Sequence, residues 1–162
     1  MQNLNSINNT DNVRSVALGC DHGAVEQKEI IKKYLSHQGY RVVDVGCRAG
    51  EKVDYPDLAV AVCRKVTSGD CDRGIMLDGA GIGSSMVCNK VKGIRAALCY
   101  DMRTIVNSRE HNNANVLTLG GPFHSGNELC EMTKLWLKTR FPGGRHMVRI
   151  NKMMAVERGG FT

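Results

Sequence analysis

Aromatic residues make up only 5% of this 162-residue chain, proline occurs three times, and no long apolar run is present. The longest apolar stretches, at positions 59–63 and 96–99, fall far short of the roughly 18 residues that cross a bilayer, so no membrane partner is expected. Positions 1–12 are rich in Asn and Ser, with neither a basic start nor an apolar centre. They match no secretory or transit signal and read as a disordered leader. The seven cysteines, at 20, 47, 63, 71, 88, 99 and 130, contain no C-x-x-C pair, and most lie in apolar stretches where a thiol behaves as a small hydrophobe. That usage points to a reducing, cytoplasmic compartment, and the absence of closely paired Cys or His ligands argues against a structural metal. A net charge of +6 would suit nucleic acid, but the basic residues are dispersed and aromatic stacking partners are few, so no nucleic-acid partner is expected. The densest basic cluster, at 140–149, suits one anionic small molecule as well as a polyanion.

What is present is a repeating rhythm. Short β-branched runs near 14–19, 41–45, 73–77, 95–99 and 115–119 alternate with stretches of helical periodicity, the pattern of a parallel sheet covered by helices on both faces. Val25, Ile30, Ile31, Tyr34 and Leu35 recur at helical steps, as do Leu129, Met132, Leu135 and Trp136. Pro56 suits a helix start, and Gly39, Gly69 and Gly93 suit helix stops. A single α/β domain over 13–157, followed by a flexible tail at 158–162, is the organisation expected.

In an open α/β sheet ligands collect beyond the carboxyl ends of the strands, so the residues that follow each strand carry the candidate chemistry. Asp21 and His22 follow the first strand and can be a polar pair for substrate or a turn that caps the next helix. After the third strand, Gly79, Gly81 and Gly83 alternate before Ser84, which lets several backbone N–H groups converge on one anionic oxygen; a tight packing turn is the bland equivalent. Asp78, at the mouth of that turn, fits a general base and fits a helix cap equally well, and spacing does not separate the two. His111 can be an acid/base group or a helix C-cap, while Arg145 and Arg149 stand four apart on one helix face, able to grip a phosphate or simply to face solvent.

Most of these residues sit in, and Asp78, Ser84 and Arg149 stand beside, six ordered motifs: Gly19-Cys20-Asp21-His22, Val53-Asp54-Tyr55-Pro56, Gly79-x-Gly81-Ile82-Gly83, Asn89-Lys90-Val91-x-Gly93-Ile94-Arg95-Ala96-Ala97, Glu110-His111-Asn112-x-Ala114-Asn115-Val116 and Gly143-Gly144-Arg145-His146. Over positions 13–156 the chain resembles the family of ribose-5-phosphate isomerase B and galactose-6-phosphate isomerase. The resemblance implies a Rossmann-like three-layer sandwich with a five-stranded parallel sheet and a C-terminal helix, and a homodimer or dimer of dimers whose sites draw on both subunits. It further implies a sugar-phosphate substrate and no metal or organic cofactor. By residue it implies that Gly79, Gly81 and Gly83, with Ser84, hold an enediolate, and that Asp78 stands at the base position. His111 and Asp21 would assist ring opening, Tyr55 and Asn112 contact the sugar, and His22, Arg145 and Arg149 bind the phosphate. The activity implied is aldose-ketose isomerisation of a pentose or hexose phosphate, with a non-catalytic sugar-phosphate binding or regulatory protein of the same fold as the alternative. The chain departs from the family pattern where Asp78 replaces the usual Cys, where Ala80 replaces a common Thr, and where Gly121-Pro122 lacks an expected Arg. Loss of the Thr hydroxyl bears on ring opening and on substrate identity.

Overall fold

The computed structural model describes residues 12–160, so most of the expected leader and the end of the tail, at 161–162, lie outside the described residues. Five strands, β1 (Ser15–Cys20), β2 (Arg41–Asp44), β3 (Arg73–Asp78), β4 (Ala96–Leu98) and β5 (Val116–Gly120), form one parallel sheet in the order β2-β1-β3-β5-β4. The helices are α1 (Val25–His37), α2 (Tyr55–Thr67), α3 (Ile82–Cys88), α4 (Met102–Glu110), α5 (Gly126–Lys138) and α6 (Arg145–Glu157). None of the described helices is long and apolar enough to cross a membrane.

Alternation along the strands builds the three layers. Val16, Leu18 and Cys20 of β1, Ile75 and Leu77 of β3, and Leu117 and Leu119 of β5 face a core closed by Ile31 and Leu35 of α1, Ile105 of α4, and Leu129 and Trp136 of α5. Their neighbours Ala17, Met76 and Val116 point to the other face, where Ala59, Val62 and Cys63 of α2 and Cys88 of α3 complete a second core. The central strands β1, β3 and β5 are buried along their whole length, which explains why they read as continuous apolar runs. Six of the seven cysteines are buried and all are free, in keeping with their apolar settings in the sequence.

The expected strands are all found, with no bound shifted by more than one residue. β4 is shorter than expected at its start because the Arg95 N–H goes to a side chain, Asn115 Oδ1 at 2.8 Å, while its carbonyl accepts the Asn115 N–H at 3.0 Å and its Nε donates to the Asn113 carbonyl at 3.0 Å. Gly39 and Gly69 follow α1 and α2 with φ of +83° and +79°, as helix stops should. Gly93 does not stop a helix; α3 ends at Cys88, and Gly93 instead turns the chain into β4. The α1 face also differs from the reading by apolar residues, since Lys28 is buried there and Ile30 is only half-buried. The Lys28 ammonium is drawn inward by Asp44 at the end of β2, with Nζ 3.0 Å from Oδ2, and by the Cys47 carbonyl at 3.2 Å.

Candidate active site

Strand order reverses between β1 and β3: the chain runs from β1 outward to β2, then crosses back to place β3 on the other side of β1. Beyond the carboxyl ends of strands so arranged, the two departing loops separate and leave a crevice. Asp21 and His22 leave β1 on one side of it, and the 79–83 turn leaves β3 on the other. The two loops are joined where the Asp21 N–H donates to the Leu77 carbonyl at 3.1 Å.

Asp78 stands at the centre of the turn, 6% exposed. Its Oδ1 accepts the Ala80 N–H at 2.8 Å and the Gly81 N–H, while Oδ2 accepts the Ser84 N–H at 3.1 Å and the Ser84 hydroxyl. The turn therefore closes around a carboxylate of its own. Ser84, expected at the ligand, is fully buried and gives both of its donors to Asp78. The Gly81 amide is likewise committed inward. The glycines divide by role. Gly81 has φ +75°, and a Cβ there would lie 2.8 Å from the Leu119 carbonyl carbon and 2.6 Å from Leu98 Cδ1. At Gly83 a Cβ would meet the Tyr55 ring at 2.6 Å, so this glycine lets Tyr55 lie over the turn. Gly79 is exposed and a Cβ there would meet nothing within 4 Å, which leaves open space beside its Cα.

Across the crevice, Asp21 Oδ1 accepts the Gly23 N–H at 2.9 Å, a local turn rather than a cap of α1. Burial, and after the opposing pull of the Gly23 amide the negative charge of Asp78, raises the Asp21 carboxyl above its ordinary value. His22 Nδ1 donates to the Val53 carbonyl at 3.1 Å, which leaves Nε2 for a ligand. Cys20, which precedes Asp21, is fully buried, and its pKa is pushed up to about 12 by burial and by Cys47, so no thiolate is available beside the carboxylates.

His111, Asn112, Arg145 and Arg149 gather elsewhere. His111 is the C-cap of α4, which ends there because Asn113 takes the left-handed conformation, φ +45°, with its Oδ1 receiving Arg109 Nη1 at 2.8 Å. Asn107, one turn earlier, bonds His111 Nδ1 at 2.9 Å and takes the Asn112 amide at 3.2 Å. The His111 ring stacks on His146 of α6 with centroids 4.3 Å apart, and Arg149 Nη1 lies 3.5 Å from His146 Nδ1. Burial, then His111, Arg145 and Arg149, lower the His146 pKa. Arg145 and Arg149 extend from the first turns of α6 and are both exposed. No hydrogen bond, ion pair or ring contact joins this group to Asp21, Asp78 or the 79–83 turn among the described residues.

The residues that follow β4 and β5 were missed in the sequence. Tyr100 donates its hydroxyl to the Ala80 carbonyl, and its ring meets Phe123 edge-on at 5.6 Å. Phe123 in turn leans over Gly120, where a Cβ would stand 2.9 Å from its ring. Applying the strand-exit rule to β4 and β5 as strictly as to β1 and β3 identifies both. Among the described residues no three His, Cys, Asp or Glu side chains come together to hold a metal ion.

Comparison with known proteins decides what this arrangement belongs to. The family described as Ribose/Galactose Isomerase matches residues 16–153. The chain belongs to the ribose/galactose isomerase family. It is 38% identical to the ribose-5-phosphate isomerase B of Escherichia coli, over 90% of this chain and 97% of that one. It is 37% identical to a galactose-6-phosphate isomerase subunit, LacA 2, of Streptococcus pyogenes, over 86% and 96% of the two chains. The solved structure of ribose-5-phosphate isomerase B from Clostridium thermocellum superposes with a TM-score of 0.87 at 42% identity, covering 90% of this chain and 98% of that one. The five-stranded parallel sheet between helical layers is thus the fold of this isomerase family, and its relatives are sugar-phosphate isomerases.

Proposed function

We propose that this chain is an aldose-ketose isomerase acting on a pentose or hexose phosphate through an enediolate, and that it works as a homodimer or dimer of dimers in the cytoplasm. The observation that carries the reading is the crevice at the strand-order reversal, where the half-buried Asp21 carboxylate faces a glycine turn folded around Asp78, with open space beside Gly79. Isomerisation needs a group that moves a proton between adjacent carbons and donors that meet the charge developing on oxygen. Carboxylates serve as that group in other proton-transfer sites. The N–H groups of Gly79 and Gly83 would face the enediolate with Tyr55 beside it. His22, Arg145 and Arg149 would take the phosphate, and His111 with Asn112 would handle the ring oxygen.

The dimer is supported by separation within one chain. His111, Arg145 and Arg149 stand apart from the crevice, and an open cleft of about 510 Å³ runs along the outer edge of β4 between Asn112 and Met153. Exposed Ile82, Met86 and Met153 surround that edge, an apolar surface suited to a second copy that brings its own His111 and arginines to the crevice. The cytoplasmic setting is supported by seven free thiols.

The full commitment of Asp78 to its own turn is the one feature that favours a non-catalytic binding protein. Incubating the protein with pentose and hexose phosphates in deuterated water separates the two readings. An isomerase interconverts one aldose-ketose pair and places deuterium on the carbon next to the carbonyl, and does so for the phosphate ester rather than the free sugar. Tight binding of a phosphosugar with neither conversion nor exchange would establish the binding protein instead.

A further inference from the structure

We propose that Asp21, rather than Asp78, moves the substrate proton, and that Asp78 is the internal anion that holds the glycine turn in shape. The inference rests on the isomerase reading above and assigns the work between its two carboxylates.

A carboxylate offers about four lone-pair directions. All of those on Asp78 meet donors of the turn itself: two N–H groups on Oδ1, and one N–H and one hydroxyl on Oδ2. With 6% exposure, no edge of it faces the crevice. Protonating either oxygen would set an O–H against an N–H or O–H that now donates to it. Asp78 is therefore poorly placed to accept a proton from carbon and well placed to fix the turn.

Asp21 has the complementary situation. Its backbone is tied to β3 through the Leu77 carbonyl, and its Oδ1 accepts one N–H, from Gly23. Its Oδ2 accepts no hydrogen bond from the described residues and the side chain is only half-buried. A Cβ on Gly23 would stand 3.3 Å from Asp21 Oδ1 and 3.8 Å from the Gly79 nitrogen, so carboxylate and Gly79 N–H border the same small gap. The N–H groups of Gly79, Ile82 and Gly83 have no acceptor among the described residues, whereas those of Ala80, Gly81 and Ser84 are used by Asp78. A free base and free donors thus share one opening. The raised pKa of Asp21, caused by burial and by Asp78, brings a carboxyl closer to the neutral range in which a general base works best.

In the step itself, for an open-chain aldose, Asp21 takes the proton from C2. The C2–H electron pair forms the C1=C2 bond, and the carbonyl pair moves onto O1, where the free N–H groups receive it. The hydroxyl proton of O2 passes to O1, C2 becomes the carbonyl carbon, and the Asp21 carboxyl returns its proton to C1. No atom or electron is gained or lost, and no co-reactant is needed.

The test compares wild type, Asp21→Asn and Asp78→Asn in the deuterium-exchange assay, with phosphosugar affinity and thermal midpoint measured on each. Asp21→Asn should lose roughly a hundredfold to ten-thousandfold of turnover and exchange. Its KM should stay within about threefold of wild type, and its thermal midpoint should be unchanged or higher. Asp78→Asn should melt at a lower temperature yet, assayed below its midpoint, keep turnover within about tenfold of wild type, because an amide oxygen can still accept the Ala80 and Gly81 N–H groups. If Asp21→Asn exchanges within tenfold of wild type, the proposal is overturned whatever becomes of the other variant. Exchange lost as deeply in folded Asp78→Asn as in Asp21→Asn would overturn it too. Failure of the isomerase reading shows separately, as a wild type that binds phosphosugars and exchanges nothing.

Discussion

Gly81 and Gly83 are two residues apart in one turn and constrain it in different ways. Gly81 lies at φ +75° with the backbone of Leu119 and Gly120 within 2.9 Å of any added Cβ, so neither the conformation nor the neighbours can yield. Gly81→Ala should cost at least about 2 kcal/mol of folding stability, read as a lower denaturant midpoint at unchanged slope. At Gly83 the obstacle is the Tyr55 ring, a side chain 37% exposed and free to rotate outward. Gly83→Ala should therefore leave stability within about 1 kcal/mol of wild type while weakening sugar-phosphate binding, because Tyr55 leaves its place over the turn. A titration that finds Gly83→Ala binding unchanged would remove Tyr55 from the candidate site. The sequence exposes three alternating glycines but not which of them answers to strain, to a ring or to a ligand. That depends on what stands opposite each Cβ, and the opposing groups come from β4, β5 and α2, far away in the chain. Asp78 is ambiguous for the same reason: base and cap share one residue type and one position, and only the donors around the carboxylate distinguish them.

At the scale of elements, hydrophobic alternation makes β1, β3 and β5 legible, since a strand buried on both faces leaves an uninterrupted apolar run. Lys28 is the informative exception on α1. Its side chain is 3% exposed, and its ammonium is held by Asp44 and the Cys47 carbonyl, with Glu29 at the rim. Burial pulls its pKa down, but hydrogen bonds to Asp44 and Glu29 outweigh this and raise it. Asp44 in turn, although burial pushes its carboxyl up, is brought below 3.8 by Lys32 and Lys28. The cluster is asymmetric. Removing Lys28 leaves Asp44 with Lys32 at 2.7 Å and the Gly46 N–H at 3.0 Å, whereas removing Asp44 leaves a buried ammonium with a carbonyl and one exposed carboxylate. Asp44→Ala should destabilise by about 3 kcal/mol and Lys28→Met by less than half of that, measured by urea unfolding at neutral pH. The sign of the pH dependence follows from the lowered pKa. The contribution of Asp44 is complete above its unfolded value near 3.8 and disappears as pH falls through the folded value, so the Asp44→Ala deficit should narrow only below about pH 4. A deficit constant from pH 7 to pH 3 would show that the carboxylate charge is not what holds Lys28.

At the scale of the molecule, two groups of candidate residues share a sequence family but not a place within one chain. The family resemblance implies that His111, Arg145 and Arg149 act with the crevice residues, yet the fold seats them beyond β4, around the stacked rings of His111 and His146. Nothing in a single sequence distinguishes a site closed within a chain from one closed between chains, because both leave the same residues in the same order. A two-fold dimer joined along the exposed β4 edge would give each crevice the partner's His111 and arginines, two sites per pair. Pairing Asp21→Asn with an Arg145→Ala/Arg149→Ala variant tests this directly. Each variant alone should be nearly inactive, one lacking the crevice carboxylate and the other the phosphate grip. After unfolding, mixing in equal amounts and refolding, half of the dimers should be mixed, and each of these should contain one site built wholly from intact groups, so activity should return to about a quarter of wild type. A site closed within each chain gives no recovery, since every chain then carries a lesion in its only site. Mixed dimers demonstrated by differential tagging, with activity no higher than the two variants alone, would therefore close the Asp21 site within each chain and overturn the shared one.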